Sequence, residues 1–125
     1  MAERANQKRG KQAEDAACIY LQNEGFLILE RNWRFSKAEI DIIAKDRFGI
    51  LVFVEVKSRS YVTFGMPEES ITASKENLIV DAAGQFMLQI GYDGAVRFDI
   101  ISVIFQKMEI SSLKHYPDAF FPGII

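Results

Sequence analysis

Thirteen residues separate Asp41 from Glu55, and Lys57 follows Glu55 after a single valine. Carboxylates are hard oxygen ligands. They suit Mg²⁺ or Mn²⁺, with water and a substrate phosphate filling the rest of the shell. A cation held in this way acidifies water and stabilises charge on a phosphoryl oxygen. A lysine beside it can orient or deprotonate the attacking water, or neutralise developing charge. Asp, Glu and Lys around one metal therefore suit phosphodiester hydrolysis, provided the chain brings the three together.

The runs that carry them read as β-strands. In Ile50-Leu-Val-Phe-Val-Glu-Val-Lys57, side chains alternate between faces. Ile50, Val52, Val54 and Val56 share one side. Leu51, Phe53, Glu55 and Lys57 share the other, which turns from apolar to ionic only at its C-terminal end. Such a pattern fits a core strand whose tip opens into a site. In Glu39-Ile-Asp-Ile-Ile-Ala44, Ile40, Ile42 and Ala44 oppose Glu39, Asp41 and Ile43. The turn-like Asp46-Arg-Phe-Gly49 joins the two runs, and an antiparallel hairpin is the simplest connection. Register then decides the chemistry, because a slip of one residue flips every side chain. Placing Asp41 opposite Glu55 puts Ile40, Ile42 and Ala44 on a common core face with Val52, Val54 and Val56, and brings Glu39 near Lys57. The alternative buries unpaired charge among valines, at several kcal/mol or more. The favoured register predicts an odd-length loop or a bulge rather than a four-residue loop over 46–49. The paired carboxylates, about 4 Å apart, would repel by roughly 4 kcal/mol at an effective dielectric near 20, which a divalent cation relieves.

Around this hairpin the periodicity predicts a helix over 5–24, with Ala13, Ala16, Ala17, Tyr20 and Leu21 as its apolar stripe and Gly25 as its stop. A strand over 26–35 places Leu27, Leu29, Trp33 and Phe35 on one side. A loop over 59–70 borders the site. A second helix spans 72–90, with Leu78, Ala82, Phe86 and Ile90 at helical spacing. A strand over 95–105 and a short one near 112–116 precede an aromatic tail containing Phe120 and Phe121. Asp99 is expected to pair with Arg97 or another basic group. His115, the one histidine, reads as structural. The order α-β-β-β-α-β-β predicts an α/β fold, a mixed sheet flanked by helices with the 40–57 hairpin at its centre.

The chain has 125 residues, 49% of them hydrophobic, enough for one domain with its own core. Residues 1–5 are expected to be poorly ordered. The lone cysteine, Cys18, reads as a packing residue of a reducing compartment. No secretory or membrane-spanning run is visible, so a cytoplasmic location and no membrane partner are expected. The net charge of −2 does not advertise a nucleic-acid binder. Basic residues nonetheless crowd the N-terminal segment (Arg4, Lys8, Arg9, Lys11) and the approach to the acidic residues (Arg31, Arg34, Lys37). Arg34, Lys37, Arg59, Lys75 and Lys11 are candidate phosphate contacts, or else ordinary solvated charges.

Asp41…Glu55-Val-Lys57 resembles the signature of the PD-(D/E)-x-K nuclease superfamily, which includes restriction endonucleases and Holliday-junction resolvases. Together with Gly10-Lys-Gln-Ala-Glu-Asp-Ala-Ala17, Glu39-Ile-Asp-Ile-Ile-Ala44, Phe53-Val-Glu-Val-Lys-Ser-Arg59, Lys75, Arg97-Phe-Asp-Ile-Ile101 and His115…Ala119-Phe120, the chain is similar to the YraN family of small bacterial proteins. The family usually carries Gly where this chain has Ala38. The resemblance implies a restriction-endonuclease-like three-layer fold, with Glu14, Asp41, Glu55 and Lys57 on the site positions. It implies a metal held by Asp41, Glu55 and the Val56 carbonyl, with Glu14 supporting it or a second ion. The implied activity is Mg²⁺- or Mn²⁺-dependent endonucleolytic cleavage of DNA, in preference to RNA, with branched or structured DNA as a candidate substrate and a homodimer as a candidate assembly. Two alternatives stand beside it. One is a nucleic-acid-binding module on the same fold with little or no catalysis. The other is a protein in which Asp41, Glu55 and Lys57 form a structural ion-pair network.

Overall fold

The computed structural model describes residues 2–60 and 72–119, with side chains from residue 7 onward. The elements run α1 (Ala2–Asn23), β1 (Leu27–Phe35), β2 (Ala38–Lys45), β3 (Leu51–Ser60), α2 (Ala73–Ile90), β4 (Val96–Gln106) and β5 (Glu109–Tyr116). This is the order expected from the sequence. Of the loop expected over 59–70, Arg59 and Ser60 belong to β3, and the rest, like the tail at Phe120 and Phe121, lies outside the described residues.

Local chemistry explains where each helix stops and starts. At the end of α1 the Phe26 amide bonds to the Leu21 carbonyl and the Gly25 amide to that of Gln22. Gly25 supplies the left-handed φ of 91° that this cap needs. Helix α2 begins at Thr72, whose Oγ1 accepts from the Lys75 amide at 3.2 Å. This N-cap fixes the first turn, and with it the point from which the Lys75 side chain emerges.

The five strands form one sheet in the order β1-β2-β3-β4-β5. β3 and β4 run parallel, joined by the α2 crossover, while β1–β2, β2–β3 and β4–β5 are antiparallel. β2 and β3 are thus interior strands, as predicted for the 40–57 hairpin. Helix α1 presents Ala13, Ala17 and Leu21 to a core with Ile42, Ala44, Val52, Val54, Ile101 and Val103. The small alanines on that stripe let α1 lie close to the sheet. Helix α2 covers the opposite face, where Ile79, Ala82 and Phe86 pack on Ile43, Leu51, Phe53, Phe98 and Ile100. The result is a three-layer α/β fold, with α1 and α2 on opposite faces of a mixed five-stranded sheet.

The hairpin register is the one that the sequence favours. Ile42 pairs with Val54, Ile43 with Phe53, Ala44 with Val52 and Lys45 with Leu51, which brings Asp41 and Glu55 to the next step. The connection over 46–50 is odd in length. The Asp46 amide bonds to the Ile50 carbonyl, and Asp46 Oδ1 accepts from the amides of Phe48 and Ile50. Two expectations need correction. Ile40 does not share the face of Ile42 and Ala44; it packs with Phe53 and Ile79 under α2. The β2–β3 ladder stops after Ile42–Val54, and the strict alternation of β2 stops with it. Leu27 was expected beside Leu29, Trp33 and Phe35, but lies 63% exposed at the end of an edge strand.

Phe53 sits at the middle of the α2-side core, its ring 5.4 Å from Phe98 and 6.3 Å from Phe86. Phe53→Ala is expected to cost about 3–5 kcal/mol of unfolding free energy, measured by urea denaturation. A loss under about 1 kcal/mol would contradict this packing.

Candidate functional site

Where β2 leaves β3, Asp41 takes over the role of the ladder. Its Oδ2 accepts the Val56 backbone amide at 2.8 Å. The carboxylate therefore occupies the gap between the parting strands, beside Glu55. Both side chains are nearly buried, at 9% and 7% residue exposure. Two carboxyl groups this close favour a proton on one of them. Burial, followed by the neighbouring Glu55, pushes the Asp41 carboxyl up to about 8. The Val56 amide and Lys75 oppose the rise without cancelling it.

Two lysines close the other side. Lys75 Nζ, from the first turn of α2, stands 3.4 Å from Glu55 Oε2. Lys57 lies beside it. Burial pulls the Lys57 ammonium below its ordinary range, and the contact with Lys75 adds to the fall. Lys75 goes the other way. Burial alone would depress it, but the charge of Glu55 and the neighbouring Lys57 hold it above the ordinary lysine value. Two ammonium groups side by side disfavour each other's charge, and Glu55 tips the balance toward Lys75. Lys75 reads from the sequence as a phosphate contact or else a surface lysine; the N-cap at Thr72 sets the turn from which it emerges, and its ammonium stands against the acidic pair.

Glu14 approaches from α1. Its carboxylate lies 3.6 Å from Arg31 and shares a surface cleft with Asn32. Burial raises its pKa, with repulsion from Asp41 contributing, so Glu14 is within electrostatic reach of the pair. Among the described residues, no three acidic, histidine or cysteine side chains gather tightly enough to form a cation cage. Asn32 is a residue that sequence reasoning missed. It sits in β1 with a φ of 52°, a left-handed conformation that asparagine tolerates better than most residues. Nothing in the local pattern signals this; only the fold shows Asn32 facing Glu14.

The remaining candidates are spread out. Arg34 pairs with Glu39 at 2.7 Å, with 77% of its side chain exposed. Glu39 was expected near Lys57; Arg34 holds it instead, because the ladder that would have aligned it with Lys57 ends at Ile42. Lys37 is exposed in the β1–β2 turn. Arg59 is half-buried, and its Nε has no hydrogen-bond partner among the described residues. Lys11 makes an exposed pair with Asp15 at 3.6 Å on α1. Asp99 and His115 stand apart from the acidic pair. Asp99 accepts from Arg97 at 2.8 and 2.9 Å, from His115 at 2.7 Å and from the Asp118 amide at 2.9 Å. The pairing with Arg97 and the structural reading of His115 agree with the sequence analysis.

The raised Asp41 carboxyl makes stability depend on pH. Between about pH 4 and pH 8 the folded protein holds a proton that the unfolded chain has released. This contribution is complete below the unfolded value and is lost as pH rises through the folded one, by at most about 1.4 kcal/mol per pH unit. Thermal unfolding without divalent ions is expected to fall across that window, and Asp41→Asn is expected to flatten the fall. An equally steep profile in Asp41→Asn would assign it to other groups.

Comparison with known proteins places the chain. The description "Uncharacterised protein family UPF0102" matches residues 13–103. A UPF0102 protein of Flavobacterium psychrophilum is 44% identical over 112 residues, covering 90% of this chain and 92% of that protein. Another, from Desulforamulus reducens, is 44% identical over 113 residues, covering 88% and 93%. A solved structure, a repair endonuclease from Pyrococcus abyssi, aligns over 78% of this chain and 40% of its own, at 19% identity and a TM-score of 0.42. By the extent of these sequence matches, the chain belongs to the uncharacterised protein family UPF0102.

Proposed function

We propose that this domain is a metal-dependent endonuclease that hydrolyses phosphodiester bonds in DNA, with branched or structured DNA as its candidate substrate. The observation that carries the reading is the convergence of Asp41, Glu55, Lys57 and Lys75 where β2 parts from β3. Two nearly buried carboxyls, one of them favouring its proton, would give that proton up to a cation. Mg²⁺ asks for one or two protein carboxylates and keeps its remaining ligands as water and phosphate, so the donor set fits Mg²⁺ or Mn²⁺. Asp41 and Glu55 would hold the ion, helped by the Val56 carbonyl, with Glu14 supporting from α1. When bound, it would supply Lewis-acid stabilisation of phosphoryl charge and an acidified water.

The chain's own groups divide the remaining work. Lys57 Nζ, its basicity lowered by burial and by Lys75, accepts a proton from the attacking water. Lys75 keeps its charge and offsets negative charge gathering on the phosphate. The Val56 amide holds Asp41 in place. Arg59, Arg34 and Lys37 offer cationic contacts to flanking phosphates, and Lys11 lies further along α1. A second reading, a nucleic-acid-binding module without catalysis, draws on the Lys75–Glu55 ion pair, which engages a carboxylate that the metal needs.

The test is incubation with Mg²⁺ or Mn²⁺ and single-stranded, duplex, flap and four-way-junction DNA. Metal-dependent cleavage is expected from the native chain. Lys57→Ala is expected to lower its rate by about 10²–10⁴-fold, the range for loss of a general base. Asp41→Asn is expected to abolish it. Binding without cleavage in every protein would support the second reading; neither binding nor cleavage would leave a structural ion-pair network.

A further inference from the structure

A second polar centre lies at the hairpin end of the sheet. Leu51 begins β3 at that end, and the strand covers roughly 13 Å before it reaches Glu55. Here Tyr20 of α1, Asp46 of the β2–β3 loop, Asp99 and Arg97 of β4 and His115 of β5 join in one chain of hydrogen bonds. Tyr20 Oη lies 3.0 Å from His115 Nδ1, and His115 Nε2 lies 2.7 Å from Asp99. Arg97 forks onto Asp99 and reaches Asp46 at 3.3 Å. Asp99 is fully buried. A buried ionic network seldom adds stability over an apolar core of equal volume. Its effect here is to hold His115 and Arg97 rigidly.

What they are held against is a cavity of about 220 Å³. That is below the roughly 300 Å³ at which pockets for drug-sized ligands begin, and it suits one flat ring system. The walls are aromatic and mixed in charge: Tyr20, Phe26, Phe48 and His115, with Arg97 paired to Asp46 and Arg47 left facing the opening. Phe48 stands at the hairpin tip with 79% of its surface exposed, and the Arg47 guanidinium is 5.4 Å from its ring centre. Tyr20 and Phe26 meet the His115 ring edge-on. Glu24 at the rim adds a carboxylate able to accept from an exocyclic amino group.

We propose that this cavity captures one unpaired nucleobase of a nucleic-acid strand, stacked against Phe48, with its neighbouring phosphate on Arg47. Aromatic rings beside arginine are the recurring platform for unpaired bases, because every base has a π-face and every nucleotide a phosphate. A paired base cannot enter a cavity of this size without leaving its stack. The domain would thereby prefer strands that carry an extruded or mismatched base over continuous duplex. The inference rests on the nucleic-acid part of the function proposed above, but not on cleavage.

The test uses the full chain carrying Asp41→Asn, in EDTA, so that no cutting intervenes. Three fluorescent probes are titrated: a blunt duplex, the same duplex with one bulged 2-aminopurine, and 2-aminopurine nucleoside monophosphate. The bulged duplex is expected to bind about tenfold tighter than the blunt one, with its 2-aminopurine emission quenched by stacking. Phe48→Ala, a change on an exposed ring, is expected to remove that advantage and leave blunt-duplex binding as it was. Equal affinity for bulged and blunt duplex overturns the inference while nucleic-acid binding stands. Binding of the free nucleotide as tightly as the bulged duplex overturns it in favour of a nucleotide site. Failure to bind either duplex removes both this inference and the nucleic-acid reading.

Discussion

The fold depends functionally on a ladder that ends early. β2 and β3 pair up to Ile42 and Val54, and one step further the Asp41 side chain, rather than the backbone, satisfies the Val56 amide. A backbone amide near the core needs a partner, so the carboxylate is fixed in the gap. Glu55 is fixed as firmly, because β3 is interior and pairs with β4 on its other side. The two acids are brought together by backbone hydrogen bonding, and their mutual repulsion has no conformational escape. It is relieved chemically, by the raised affinity of Asp41 for a proton and by the ammonium group that α2 supplies.

This arrangement explains why the lysines differ. Lys57 belongs to the same strand as Glu55, but the neighbouring Lys75 and burial together lower its hold on a proton. Lys75 is placed by the N-cap at Thr72, in the first turn of a helix whose N-terminal dipole favours negative charge. Glu55 is thus compensated from α2, while Asp41 feels Glu14 from α1 across the sheet. The site is assembled from both outer layers onto one irregularity of the middle layer. Loss of either helix contact would change its charge balance without moving the strands.

Much of this was legible in the sequence, for a reason that can be stated. The valines of β3 and the isoleucines of β2 allow one register that keeps carboxylates out of an apolar core, and the odd hairpin loop follows from it. The Asp99–Arg97 pair was legible because the residues lie two apart on one strand face. Other features were not. Ile40 crosses to the α2 side where the ladder ends, and no period-2 pattern anticipates a local loss of alternation. Lys75 looks like any surface lysine until the helix cap sets its direction. Asn32 is hidden because a left-handed asparagine within a strand leaves no mark on hydrophobic periodicity. Leu27 reads as core by type, yet lies at the end of an edge strand.

The most direct measurement is calorimetric titration of Mn²⁺ into the native chain at pH 7, in two buffers of different ionisation enthalpy. Binding is expected to release about one proton, as the proton favoured on Asp41 gives way to a cation, and both are expected to be lost in Asp41→Asn. Binding that releases no proton, or that survives Asp41→Asn unchanged, would contradict a cation site built on Asp41.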